Sequence, residues 1–222
     1  MLSYSAAALL AVNVFASGGA SYVDTTTWSE DAPTCGSGMA QSPIDLSTNS
    51  EKNDELAVED VGFYDFPVNE EYSSTDDAKK VSFDATLRTG ATLELTFADS
   101  TTAMYNPLQF HFHSPSEHTI DGANMDVEVH FVHTLVDDPS TYAVVAVLFD
   151  RVVGGADKNP FIASVEAAIN SREQEDPENR SDALVKNFLE EADVGDEFWS
   201  YDGSFTTPPC TEGLKWTVYK DV

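Results

Sequence analysis

Gln109-Phe110-His111-Phe112-His113 and, farther along, Glu128-Val129-His130-Phe131-Val132-His133 are the two stretches on which the fold turns. Both sit in runs rich in Val and Phe, Leu108–His113 and Asp126–Leu135, which argues for strands. Successive side chains of a strand point to opposite faces. His111 and His113 therefore share a face with Gln109, while Phe110 and Phe112 take the other. On the second strand His130 shares a face with Glu128, and His133, three residues on, looks the opposite way. The chain has five histidines, and the fifth, His118, lies between the two strands. Chance scattering would not gather them so.

Two histidines from one strand and one from a neighbour supply three corners of a tetrahedron. The open fourth corner is the mark of a catalytic rather than a structural zinc. A ligating imidazole hands its other N–H to a carboxylate or carbonyl. Gln109 and Glu128 stand where such acceptors belong, and inward-facing polar residues make little sense as plain core. A single histidine is more often a satisfied core or surface residue, and that is the reading for His118 and His133. For His111, His113 and His130 together, a metal site is the better account.

Outward from these strands, Val81–Leu87 and Thr92–Phe97 alternate apolar and polar, with Arg88–Ala91 as the turn between them. Tyr142–Phe149 and Trp216–Tyr219 read as further strands. Phe161–Ile169, after Asn159-Pro160, reads as a short helix with a proline start signal, and Ala183–Glu191 as a second. Glu51–Lys80 is acidic and irregular, a loop with one edge strand at most, and Arg172–Arg180 is a charged loop. The fold class expected is mainly β with small peripheral helices. It is a single domain over residues 22–222, built on a large, mostly antiparallel twisted sheet.

Composition bounds the partners. Asp and Glu number 39 against 11 Lys and Arg, a net charge of −28 at pH 7. Such a surface argues against nucleic acid and anionic membranes; it favours solubility, surface cation binding or high salt. With 41% hydrophobic residues in 222, the chain can bury one good core. Ala6 to Ala16 is an apolar run too short to span a bilayer, followed by small residues around Ser17–Ser21. Residues 1–21 therefore read as a secretory signal, although no Lys or Arg precedes the run; the other reading is a buried segment. No later stretch is long and apolar enough to cross a membrane. Cys35 and Cys210 form either one disulfide, the usual state of a pair in an exported protein, or two buried thiols. Bridged, so long a loop would contribute roughly 4–5 kcal/mol.

Five ordered segments resemble the α-carbonic anhydrase family: QSPIDL (Gln41–Leu46), QFHFH (Gln109–His113), SEHTIDG (Ser116–Gly122), EVHFVH (Glu128–His133) and GSFTTPPCTEGLKW (Gly203–Trp216). That family is the standing example of a three-histidine zinc site. The resemblance implies Zn²⁺ as cofactor and reversible hydration of carbon dioxide to bicarbonate by zinc-bound hydroxide. It makes His111, His113 and His130 the ligands. It gives Thr206 and Glu117 the task of orienting the hydroxide and Thr207 that of shaping the bicarbonate site. Val132, Val144, Phe205 and Trp216 become walls of the carbon dioxide pocket, and Tyr201 a residue that orders water. It pairs Cys35 with Cys210, as in exported members, and implies a secreted or otherwise extracytoplasmic location. It also implies cis bonds at Ser42-Pro43 and Pro208-Pro209. The sequence departs from the family at three places. Ala91 occupies the usual proton-shuttle position, the tyrosine- and glycine-rich segment before Trp28 is not recognisable, and the strands that follow the position of Val222 in the family are expected to be missing.

Two other readings start from the same residues. His111-Phe-His113 with Glu117 fits the HxH…E pattern of cupin barrels, which hold iron or manganese. A cupin would place its next histidine in a Gly/Pro frame, whereas His130 lies in a Val/Phe run. A non-catalytic, acidic zinc- or calcium-binding extracellular module is the other, though all three candidate ligands are in place.

Overall fold

The computed structural model describes residues 25–48, 57–61, 63–66, 68–72, 79–84, 92–97, 100–150, 159–163, 165, 183–186 and 198–219. The signal-like segment, the Arg88–Ala91 turn with Ala91, and the Arg172–Arg180 loop lie outside these residues. Among the described residues, two single-turn helices, α1 (Trp28–Asp31) and α2 (Thr34–Ser37), precede the strands. The strands are β1 (Asp45–Leu46), β2 (Ala57–Val61), β3 (Phe63–Phe66), β4 (Val68–Tyr72), β5 (Lys79–Asp84), β6 (Thr92–Thr96) and β7 (Thr102–His113). They continue with β8 (Thr119–Ile120), β9 (Ala123–Asn124), β10 (Val127–Leu135), β11 (Tyr142–Phe149), β12 (Ala183–Lys186), β13 (Phe198–Ser204) and β14 (Glu212–Tyr219).

Nine of these strands form one sheet in the order β13-β14-β11-β10-β7-β5-β4, with β6 also on β7 and β2 on β6. Most pairings are antiparallel, and β11–β14 is parallel. The expected mainly-β class with a large, mostly antiparallel sheet is therefore the one observed. The central strand β11, Tyr-Ala-Val-Val-Ala-Val-Leu-Phe, is apolar on both faces because both are covered. Ala143, Val145 and Val147 enter one cluster with Phe110, Phe112, Val129 and Phe131. Val144, Ala146 and Leu148 enter the other with Val132, Leu214 and Trp216. The histidine face belongs to the second side.

Residues 160–163 and 165 are helical, as the proline start signal implied. Asn159 Oδ1 accepts from the backbone N–H groups of Phe161 (3.0 Å) and Ile162 (3.4 Å), so Asn159 is the cap and Pro160 the first residue. Phe161 is fully buried under Phe110 and Phe131, with ring centroids at 5.6 and 5.4 Å.

Two expectations are corrected. Residues 51–80, read as loop, contain β2, β3, β4 and the start of β5. Charged edge strands such as Ala-Val-Glu-Asp-Val lack strict alternation, so periodicity overlooks them. The helix expected over Ala183–Glu191 begins instead as β12, antiparallel to β3 with Ala183 opposite Phe66. Helix propensity in Ala-Leu-Val-Lys is a weak prior that a waiting strand partner overrides. Sequence reading also missed β13 and began β14 four residues late.

His133 is buried on the far face from His130, its Nδ1 donating to the Phe131 carbonyl (3.0 Å). Burial pushes its pKa down to about 4 from an ordinary value of 6.5. Between these values the unfolded chain takes up a proton that the folded chain refuses. The stability at stake is whole above about pH 6.5 and is lost as pH falls toward 4, about 2–3 kcal/mol by pH 4.5. Urea unfolding at pH 7 and pH 4.5 should show that much less pH dependence in His133→Leu than in the parent; equal slopes would acquit His133.

Candidate active site

Register puts the site together. β7 and β10 are antiparallel neighbours with His130 opposite His111 and Glu128 opposite His113, so strand alternation points all three rings the same way. The candidate ligand atoms of His111, His113 and His130 lie within 4.8 Å of one another, and all three residues are buried. His113 Nε2 and His130 Nδ1 are 3.1 Å apart. A tetrahedral zinc with bonds of about 2.0–2.1 Å has nitrogen–nitrogen edges of about 3.3–3.4 Å, so the rings fit that ion.

The outer nitrogens have partners. His111 Nδ1 donates to Gln109 Oε1 at 2.9 Å. His130 Nε2 donates to Glu128 Oε1 at 2.6 Å. His113 Nδ1 lies 3.2 Å from Glu117 Oε1. Gln109 and Glu128 thus stand where sequence reading put them, and Glu117 reaches a candidate ligand as well. Burial holds the His130 imidazole below its ordinary pKa even with Glu128 beside it, so the ring stays neutral as a ligand must. For Glu128, burial acts to raise the pKa, but His130 and His118 outweigh it and hold the carboxyl well below the usual range.

A second trio, His118, Glu128 and His130, also offers metal-ligand atoms in proximity. Hydrogen bonds account for it. Glu128 Oε1 takes the His118 and His130 rings, both at 2.6 Å, and Oε2 takes the backbone N–H groups of Glu117 and His118, both at 2.8 Å. The carboxylate is saturated. His118 is therefore the satisfied core residue expected of it.

Over the trio opens a pocket lined by Gln109, Val132, Val144, Phe205, Thr207 and Trp216, with Thr206, Pro208 and Pro209 at the same wall. The prolines and Gln109 were not foreseen as lining. Gln109 Nε2 and Glu117 Oε2 are buried without a hydrogen-bond partner, two polar atoms held at this site against the usual rule. Burial acts to raise the Glu117 pKa, but His113, His130 and the Thr206 hydroxyl bring it below the ordinary value. The hydroxyl acts from nearby without completing a bond of standard geometry to Oε2.

Tyr201 departs from expectation. Instead of facing the pocket to order water, its hydroxyl pairs with Ser42 Oγ (2.8 Å) and His118 Nε2 (2.7 Å). Its ring stacks on Trp216 at 6.2 Å and 10°. Sequence reading could not see this, because Ser42 and Tyr201 are 159 residues apart.

The wall carrying Thr206 and Thr207 is tied to the N-terminal segment. Cys35 and Cys210 are disulfide-bonded, with Cα atoms 5.1 Å apart. Gln41 Nε2 donates to the Cys210 carbonyl (3.1 Å) and to Glu212 Oε1 (2.9 Å), which also takes the Ala40 N–H (2.6 Å). Ser42-Pro43 and Pro208-Pro209 are cis, as the family resemblance implied, and so is Ser114-Pro115.

Known proteins bear on these features. The mouse carbonic anhydrase 6 is 32% identical over 215 residues, 90% of this chain. Dioscorin DB3S of Dioscorea polystachya is 33% identical over 197 residues, 85% of this chain. The chain spans 65% of the length of each. The solved α-carbonic anhydrase of Photobacterium profundum superposes with a TM-score of 0.62 at 27% identity, over 91% of this chain and 83% of that one. A cupin barrel is not the fold adopted, since the histidines lie on inner strands of an open sheet. The family model for eukaryotic-type carbonic anhydrase matches residues 23–222, and the chain belongs to that family.

Proposed function

We propose that this chain is a zinc hydrolyase interconverting carbon dioxide and bicarbonate. The observation that carries the reading is the convergence of three buried imidazoles beneath a pocket walled by Val132, Val144, Phe205 and Trp216. His111, His113 and His130 would hold Zn²⁺, which supplies Lewis acidity and brings the pKa of water to about 7. Gln109 and Glu128 keep the outer N–H of two ligands engaged and so fix their tautomers. Thr206 gives its hydroxyl proton toward ionised Glu117, which leaves its oxygen able only to accept, an orienting role. Thr207 narrows the same wall. Aliphatic and aromatic walls suit a small apolar substrate and exclude bulk water. The disulfide supports an extracytoplasmic location.

Proton export is where this chain should be slow. Ala91, at the family's shuttle position, cannot carry a proton, and His118 and His133 are buried in hydrogen bonds of their own. Surface carboxylates, with pKa near 4, match the task badly. Imidazole buffer should raise kcat, and Ala91→His should raise it at low buffer while leaving kcat/KM nearly unchanged. A parent kcat indifferent to imidazole would assign the shuttle elsewhere. The reading as a whole is tested by a carbon dioxide hydration assay with and without dipicolinate. Activity that the chelator abolishes and added zinc restores supports it; a metal-replete protein without activity refutes it and favours the non-catalytic module.

A further inference from the structure

The hydrogen bonds beneath His130 continue past Glu128, and on the metal-site reading their protons can be placed. If His130 turns Nδ1 to the metal, its Nε2 carries the hydrogen that Glu128 Oε1 accepts. An ionised carboxylate only accepts, so His118 Nδ1 also donates to Oε1. With Nδ1 so engaged, the His118 ring presents Nε2 to the Tyr201 hydroxyl, which donates to it at 2.7 Å. The Tyr201 oxygen accepts in turn from Ser42 Oγ at 2.8 Å. Ser42 Oγ takes the Ser204 N–H (3.1 Å), the Ser42 N–H goes to Ser204 Oγ (2.9 Å), and that hydroxyl donates to the Phe205 carbonyl (2.9 Å). From the Ser204 N–H through Ser42, Tyr201 and His118 each donor points toward Glu128, which also accepts from His130 on its other side. The path runs from the residue before Thr206 to a candidate ligand on another strand.

We infer that Tyr201 is a positioning residue for the metal: through His118 and Glu128, its hydroxyl fixes the ring of His130. The inference rests on the proposed zinc site. The surroundings leave these groups little other geometry. Trp216 stands edge-on to His130 at 4.8 Å and to His118 at 5.0 Å while stacking on Tyr201. Its indole N–H donates to the Ser204 carbonyl at 3.0 Å, tying the same box to the same loop. Gly203 is bare where a Cβ would collide with Ser42 Oγ and the Tyr201 ring, so the meeting of these side chains depends on the absence of a side chain there. Without the Tyr201 hydroxyl, His118 Nε2 becomes a buried unpaired acceptor, and its hold on Glu128 slackens.

The test uses the full chain loaded with zinc, in Tyr201→Phe, His118→Gln and the double variant. Phenylalanine keeps the ring that stacks on Trp216 and removes only the hydroxyl. Partners of a ligand change metal affinity by about 10–100-fold, so a group one step farther out should change it less, roughly 3–10-fold. Zinc release to excess dipicolinate should be that much faster in Tyr201→Phe, and the visible spectrum of the Co²⁺-loaded protein should shift. The double variant should release zinc no faster than His118→Gln alone, because the hydroxyl acts through that ring. A merely structural tyrosine would lower the stability of the metal-free protein yet leave zinc release from the folded protein and the cobalt spectrum unmoved. A folded Tyr201→Phe with parental release rate and spectrum overturns the inference while leaving the zinc site standing. Independent effects in the double variant overturn it too. A parent protein that binds no zinc removes the site and this inference together.

Discussion

His111→Ala should leave the protein without bound zinc and without measurable carbon dioxide hydration, a loss on the order of 10⁴-fold or more. Two imidazoles cannot make the three-ligand set that a catalytic zinc requires. The change also strands Gln109, whose Oε1 now takes the His111 Nδ1–H at 2.9 Å and whose Nε2 already has no partner. A buried amide with nothing to bond costs about 1–3 kcal/mol, so some loss of stability should accompany the loss of metal. His111→Gln separates the two effects, because it fills the space and keeps a polar group against Gln109. Metal content by atomic absorption and initial rates of hydration decide the matter. A folded His111→Ala protein that still carries one zinc and hydrates carbon dioxide within tenfold of the parent would mean that the ion sits elsewhere.

The double change Cys35→Ser and Cys210→Ser should cost about 5 kcal/mol, because the bridge closes a loop across a separation of 175 residues. That is a large part of the 5–15 kcal/mol that typically holds a domain together. At about 2–4 °C per kcal/mol for a protein of this size, the melting temperature should fall by roughly 10–20 °C. Activity of the variant that remains folded should suffer less. Gln41 still reaches the Cys210 backbone carbonyl, and Ser42 still exchanges bonds with Ser204, so the wall bearing Thr206 keeps anchors that do not depend on sulfur. A melting temperature within 3 °C of the parent, or two free thiols in the denatured and unreduced parent, would contradict the bridge.

How much of this was legible beforehand differs from element to element. The helical turn after Asn159-Pro160 was readable because its cap and its proline are neighbours in sequence. Strand β12 was not, because four residues of mixed propensity took their conformation from Phe63–Phe66, far back in the chain. The acidic strands β2 and β4 escaped notice because hydrogen bonds between backbones, not a period of apolar side chains, define them. Tyr201 was expected to order water, and its hydroxyl instead bonds to Ser42 and His118. Its partners Ser42 and His118 come from two other segments, and no local rule brings them together.

The sequence by itself determined which side chains could act together within a strand. His111, His113 and Gln109 share a face, as do His130 and Glu128, because alternation has a period of two and needs no partner. It also determined that β11 would be covered on both sides, since no residue from Ala143 to Leu148 is polar. Only the tertiary structure decided the register that sets His130 opposite His111, the parallel pairing that brings Trp216 beside Val144, and the bonds by which Ser42, Tyr201 and His118 brace Glu128. Those contacts join segments up to 159 residues apart. They form because burying the two apolar clusters fixes strand order, and strand order fixes which polar atoms must find each other out of reach of water.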